Sequence, residues 1–108
     1  MSVDQKDKID AIGIEPDGKT LGMMITDHFD WDEKFEYDHL MMLQEKINLY
    51  VYFIESKQYS DIYPNNHFEK FCIDIHFKYE LNENCKKFIE VANKKLSQLN
   101  IFIKVKHC

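Results

Sequence analysis

Acidic residues and histidines are concentrated in one short segment, Asp27 to His39. Its thirteen positions hold six carboxylates and two histidines against one lysine. Such side chains can ligate a metal ion, transfer protons or steer a basic partner, and acids also favour the first turn of a helix. The segment therefore allows four interpretations: a metal site, catalytic acids, a binding surface, or the solvated start of a helix.

Metal binding is poorly supported by the spacing in this segment. In an EF-hand loop starting at Asp30, Lys34 would take the fifth position and Phe35 the position that needs glycine. His28 and His39 are eleven residues apart, and only His39 falls inside the helix predicted below, so they do not form a zinc or iron pair. We therefore predict no metal ion and no cofactor.

Catalysis by paired carboxylates is also disfavoured. A catalytic acid needs a desolvated carboxyl group with a raised pKa, whereas the positive end of a helix dipole stabilises ionised acids. The chain has only three isolated glycines and no nucleophile motif, so it offers no phosphate-binding loop. We predict a protein without enzymatic activity. The alternative is a small metal-dependent or acid/base enzyme that uses Asp27, His28, Asp30 and His39.

Aromatic rings among the acids favour a binding surface. Trp31, Phe35 and Tyr37 are interspersed with carboxylates; rings provide contact area, and carboxylates speed the approach of a basic partner. The same rings could instead close a helix against the preceding strands, and this second explanation stays open. The predicted partner-binding residues are Asp27, Asp30, Trp31, Asp32, Glu33, Glu36, Tyr37 and Asp38.

Hydrophobic periodicity indicates the elements that would position these side chains. It predicts strands over residues 9–14, 20–27, 71–79 and 101–106, and helices over about 31–56 and 83–99. Pro16 and Gly18 predict a hairpin turn between the first two strands. Asp30 and Glu33 predict a capping box at the first helix, and Asn82 predicts an N-cap at the second.

The element order ββαβαβ predicts an α/β chain of the two-layer α+β kind. We expect a four-stranded mixed sheet with two helices on one face, in a single domain over residues 1–108 whose residues 1–8 form a flexible N-terminus. The other face, near Phe102, is expected to be hydrated or to serve as a docking surface. Its polar residues are Asp74, His76, Lys78, Lys104 and Lys106.

Composition excludes several classes of function. The net charge is −5, divided into −8 over residues 1–66 and +3 over residues 67–108, and there is no arginine. Because arginine supplies the planar fork used to recognise phosphate and guanine, we expect no nucleic-acid binding. The longest aliphatic run, residues 40–43, is too short to span a membrane. The first eight residues lack the apolar stretch of a signal peptide, so we expect a cytoplasmic protein. Three cysteines without a C-x-x-C motif indicate free thiols.

Two stretches carry a family resemblance: residues 25–31, ITDHFDW, and residues 43–50, LQEKINLY. They resemble a family of small, functionally uncharacterised bacterial proteins, to which no activity is assigned. By size and charge the chain is also similar to immunity proteins that neutralise bacterial toxins. The second resemblance implies an inhibitor that docks on a basic toxin domain. We expect the chain to be a monomer or a homodimer. A structural module that dimerises through the open sheet face near Phe102 is a further alternative.

Overall fold

A four-stranded sheet covered on one face by two helices makes up the fold in the computed structural model, which describes residues 9–107. The elements are β1 (Ala11–Ile14), β2 (Thr20–Asp27), α1 (Glu36–Glu55), β3 (Lys70–Phe77), α2 (Glu83–Leu96) and β4 (Ile101–His107), with short 3₁₀ turns at Gln58–Asp61 and Ser97–Leu99. This order and the mixed sheet confirm the predicted fold class. The predicted flexible N-terminus, residues 1–8, lies outside the described residues.

The strands lie in the sheet in chain order, β1-β2-β3-β4. β1 and β2 are antiparallel, and the Pro-Asp-Gly turn joins them with Gly18 at φ 72°. β2, β3 and β4 are parallel, so each pair is connected by a helix that crosses over the sheet. The Asp17 carboxylate accepts hydrogen bonds from the Lys19 and Thr20 amides at 2.9 and 3.0 Å and fixes the turn.

Successive side chains along each strand point to opposite faces of the sheet, so one set lies beneath the helices. The buried sheet residues are Leu21, Met23, Ile25, Phe71, Ile73, Ile75, Phe77, Ile101 and Ile103. The first helix packs on them through an apolar stripe of Leu43, Ile47, Tyr50 and Ile54, and the second helix adds Ile89. Within residues 9–107, no helix combines the length and the apolar character needed to cross a bilayer.

The predicted start of the first helix is wrong. α1 begins at Glu36, five residues later than expected, and its N-cap residue Phe35 makes no side-chain capping bond. Asp32 accounts for the difference: its carboxylate accepts from the Lys34 amide at 2.9 Å, and its carbonyl accepts from the Phe35 amide at 3.0 Å. A short polar side chain that bonds to its own backbone in this way favours a turn over a helix.

The predicted start of the second helix is confirmed. Asn82 lies in the N-cap position, and its side chain accepts a hydrogen bond from the Cys85 amide at 2.9 Å. Cys85 and Cys72 are both free thiols and both buried, whereas Cys108 lies beyond the described residues. The start of α2 faces the start of α1, and this junction positions the acidic segment.

Candidate functional site

The acidic segment is divided by the fold into a buried pair and an exposed surface. Asp27, the last residue of β2, is 1% exposed, and His39, in the first turn of α1, is 3% exposed. The Nε2 atom of His39 lies 2.6 and 2.8 Å from the two carboxylate oxygens of Asp27. The Phe29 amide also donates to that carboxylate, at 3.1 Å. Asp27 therefore lacks the exposed position that a partner-binding carboxylate was expected to have.

Aromatic rings enclose the imidazole of His39. Trp31 stacks on it with ring centroids 3.6 Å apart and planes 14° apart, and the edge of Phe29 approaches to 5.8 Å. Trp31 is therefore a packing residue at the junction of β2 and α1. Within residues 9–107, neither Nδ1 of His39 nor Nε1 of Trp31 has a hydrogen-bond partner, and both atoms are buried.

The Asp27–His39 pair has the chemical form of an oriented base. A carboxylate can only accept, so Nε2 of His39 carries the shared hydrogen, and Nδ1 is the ring nitrogen that does not contact Asp27. A carboxylate that orients an imidazole in this manner is found in general-base sites. Here Nδ1 has no exposed surface, and the Trp31 ring covers one face of the imidazole. In this conformation the pair serves to tie the end of β2 to the start of α1.

The other two residues of the enzymatic alternative, His28 and Asp30, do not lie in the interior with Asp27 and His39. His28 is exposed and stacks on Phe29 with ring centroids 4.2 Å apart, and Asp30 is exposed. Two of the four residues in the enzymatic alternative are therefore buried together, and two face solvent.

Exposed aromatic rings dominate the outer surface of the segment. Phe35 is 62% exposed and Tyr37 is 73% exposed at the start of α1. Phe35 forms one wall of a depression of about 330 Å³, whose lining residues are Phe29, Asp30, Phe35, Asp38, His39 and Met42. The depression thus combines apolar walls with two exposed carboxylates, Asp30 and Asp38.

The remaining predicted binding residues have different environments. Asp32 and Glu33 are exposed in the turn before α1. Glu36 is half-buried, and one of its oxygens accepts from the Asn82 and Asn84 side chains at 2.6 and 3.0 Å. This carboxylate joins the starts of the two helices, so it holds the exposed surface in place rather than forming part of it.

A second buried polar pair, between a lysine and an aspartate, was missed by the sequence analysis. Lys46 of α1 lies 2.9 Å from the Asp10 carboxylate, with both side chains buried. The other Asp10 oxygen accepts from the Thr26 amide at 3.2 Å, and the Tyr50 hydroxyl accepts from the Asp10 amide at 2.8 Å and donates to the Met24 carbonyl. Burial raises the pKa of Tyr50. The available signal was the position of Lys46, three residues after Leu43 and four before Tyr50 on the apolar stripe.

Each of the two stretches that carry the family resemblance contributes one member of a buried pair and one aromatic ring that contacts a member of that pair. Asp27 and Trp31 come from the first stretch, and Lys46 and Tyr50 come from the second. Both stretches are therefore used largely to join the first two strands to α1.

No curated protein and no solved structure matches the chain. A family model described as a family of unknown function matches residues 1–108, which confirms the expected uncharacterised family, and the chain therefore belongs to DUF6572.

Proposed function

We propose that this chain is a non-catalytic protein-binding module that docks on a basic partner. The docking surface, here called the acidic–aromatic face, consists of Asp30, Asp32, Glu33, Phe35, Tyr37 and Asp38. The observation that carries the proposal is the exposure of two large rings, Phe35 at 62% and Tyr37 at 73%, among carboxylates. Exposed aromatic clusters with a polar rim are typical of interaction sites.

The depression beside Phe35 suits a long basic side chain. Its apolar walls would pack against the methylene groups of a lysine or arginine, while Asp30 and Asp38 would meet the charged end. A volume of about 330 Å³ is at the lower end of the range for ligand pockets, which corresponds to one or two side chains rather than a cofactor.

Charge supports rapid association with such a partner. Residues 27–39 hold six acids and one lysine, and only Asp27 among these acids is buried. A concentrated negative surface attracts a basic protein over about 10 Å at moderate salt and raises the association rate.

We further propose that the partner is a basic toxin domain and that the chain acts as an immunity protein in the bacterial cytoplasm, as a monomer or homodimer. Support comes from the length of 108 residues and the net charge of −5. An acidic surface on such a protein could occupy the phosphate-binding groove of a basic nuclease.

Binding kinetics with the co-expressed product of the adjacent reading frame would test the proposal. We expect Phe35→Ala with Tyr37→Ala to weaken binding by about 30-fold, the loss typical of a hot spot of about 2 kcal/mol. Tyr52→Ala is the matched control, because Tyr52 is 64% exposed on the same helix but is remote from the segment in sequence.

The contribution of the carboxylates to binding can be tested separately, through the salt dependence of the association rate. Asp30→Asn with Asp38→Asn should slow association at low salt and have little effect at high salt, because screening removes steering. Glu55→Gln with Asp61→Asn, at the exposed far end of α1 and in the following turn, supplies the control. Equal effects of the two pairs, or a Tyr52→Ala defect equal to that of the ring variants, would remove this face as the docking surface.

The Asp27–His39 pair supports the second candidate, a small acid/base or metal-dependent enzyme that includes His28 and Asp30. The supporting observation is the unpartnered Nδ1 of an imidazole held by a carboxylate. Diethyl pyrocarbonate modifies accessible neutral imidazoles, so its reaction with His39 can be compared with that of exposed His28. Modification of both at equal rates would favour the enzyme, whereas protection of His39 would show that the pair is not an accessible base and would remove this support.

A further inference from the structure

Three potential metal ligands meet on the sheet face that the helices leave open. They are Glu15, the residue after β1, and Cys72 and Asp74 of β3, here called the carboxylate–thiol cluster. Cys72 and Asp74 are two residues apart on one strand, so both side chains point to the same face. That face lies opposite the core. Ile73, which lies between Cys72 and Asp74 on the strand, has its side chain buried in the core.

The ligand atoms of the cluster are close together. One atom from each residue lies within 4.8 Å of the other two, and the Cys72 thiol donates to the Asp74 carboxylate at 3.2 Å. Cys72 is 4% exposed, while the two carboxylates are half-buried and reachable from solvent. Fifty-seven residues separate Glu15 from Cys72, so no local motif indicates the cluster.

Gly22 makes room for the third member. It pairs with Cys72 in the register of β2 and β3, and a Cβ atom built on it would lie 2.5 Å from Glu15 Oε1. With alanine at position 22, the Glu15 carboxylate would have to move from the place it now occupies beside the sheet. Each of the two carboxylates thus has an oxygen within 4.8 Å of one sulfur, and Lys104 is the register partner of Asp74 on the neighbouring strand.

We propose that the carboxylate–thiol cluster binds a divalent metal ion of the zinc class. Glu15, Cys72 and Asp74 would supply one sulfur and two oxygens, and water would complete a four-coordinate site. A sulfur ligand selects zinc, cobalt or cadmium, whereas calcium and magnesium require oxygen ligands throughout.

The size of the cluster agrees with this assignment. Tetrahedral zinc, with a sulfur at about 2.3 Å and oxygens at about 2.1 Å, places its ligand atoms roughly 3.5 Å from one another. The Cys72 sulfur already lies 3.2 Å from an Asp74 oxygen, and all three ligand atoms lie within 4.8 Å of one another. Binding would release the thiol proton to the buffer, since thiolate is the ligand form.

Cobalt titration tests the proposal directly, because a thiolate bound to Co²⁺ gives a near-ultraviolet charge-transfer band. The background is Cys108→Ser, which removes the terminal thiol. We expect the band to saturate at one equivalent and to disappear when Zn²⁺ is added. Cys72→Ser should abolish it, and Cys85→Ser, which alters the other buried thiol, should retain it.

Gly22→Ala provides the sharper test, because it replaces none of the three ligand residues and disturbs only the position of the Glu15 carboxylate. We expect Co²⁺ affinity to fall by about 10- to 100-fold, the usual cost of disturbing the surroundings of a metal ligand. Gly13→Ala is the matched control: Gly13 is the register partner of Gly22, and a Cβ there meets no atom within 4 Å.

Circular dichroism and thermal melting show whether each variant is folded, so that a lost band can be assigned to lost metal binding and not to unfolding. Each variant should retain the wild-type helix signal without metal, and Zn²⁺ should raise the melting temperature of wild type but not of Cys72→Ser. A missing band at saturating Co²⁺, a band that survives Cys72→Ser in folded protein, or equal affinities of Gly22→Ala and Gly13→Ala would overturn the proposal. The acidic–aromatic face is a separate surface, so its test is independent.

Discussion

Replacing Lys46 by methionine should destabilise the protein far more than any surface lysine replacement. Lys46 is buried and lies 2.9 Å from the buried Asp10 carboxylate, and its ammonium lies 5.8 Å from the centre of the Tyr50 ring. Methionine has a similar length and fills the same space, so the main loss is the positive charge. The change therefore leaves Asp10 as a buried carboxylate without its cation.

The expected cost follows from the burial of both partners. Removing one member of a buried ion pair costs about 3–5 kcal/mol, because the remaining charge keeps its desolvation penalty. The Thr26 amide still donates to Asp10 at 3.2 Å and offsets part of this penalty, so we expect about 3 kcal/mol. For a domain of this size that corresponds to a melting temperature lower by roughly 12–24 °C.

Urea unfolding monitored by circular dichroism would measure the loss, and Lys94→Met is the matched control. Lys94 of α2 is exposed and lies 3.9 Å from Glu90, so its replacement should cost about 0.5 kcal/mol or less. The double variant Lys46→Met with Asp10→Asn should recover part of the stability, because no buried charge is left unpaired. If Lys46→Met costs no more than Lys94→Met, the Asp10–Lys46 pair is not a buried, desolvated contact and the reasoning fails.

Burial, reinforced by the charges of Asp27 and Glu36, raises the pKa of the Cys85 thiol to about 12. The folded pKa lies above the unfolded value of about 8.5. The contribution of the Cys85 thiol to the free energy of unfolding is therefore fully present below the unfolded pKa and is lost as pH rises through the folded pKa. The free energy of unfolding should therefore fall between pH 9 and 12, with a shallower slope in Cys85→Ala, and equal slopes would contradict this. Asn82→Ala should cost about 1 kcal/mol in urea unfolding, because α2 loses its cap and Glu36 loses a donor; a cost near zero would exclude that role. If the chain dimerises through the open sheet face, Phe102→Ser should lower the mass measured by light scattering at high concentration, and an unchanged dimer mass would rule out that face.

The sequence alone determined the elements and their order, because these depend on near neighbours along the chain. Strict alternation in residues 71–77 and three- to four-residue spacing in residues 40–54 produced strand and helix signals that the fold confirms. The turn at Gly18 and the cap at Asn82 were predicted for the same reason, since each bond joins residues at most three apart.

Tertiary structure alone decided what the charged residues do. The sequence showed one acidic segment, but the end of β2 meets the first turn of α1, so Asp27 is enclosed with His39. Glu36 is half-buried between the two helix starts, and the other four acids are exposed. Asp10 meets Lys46 across 36 residues, and Glu15 meets Cys72 across 57, because strand pairing and helix crossing bring them together. The burial of a carboxylate depends on which element packs over it, and neither composition nor local spacing specifies that packing.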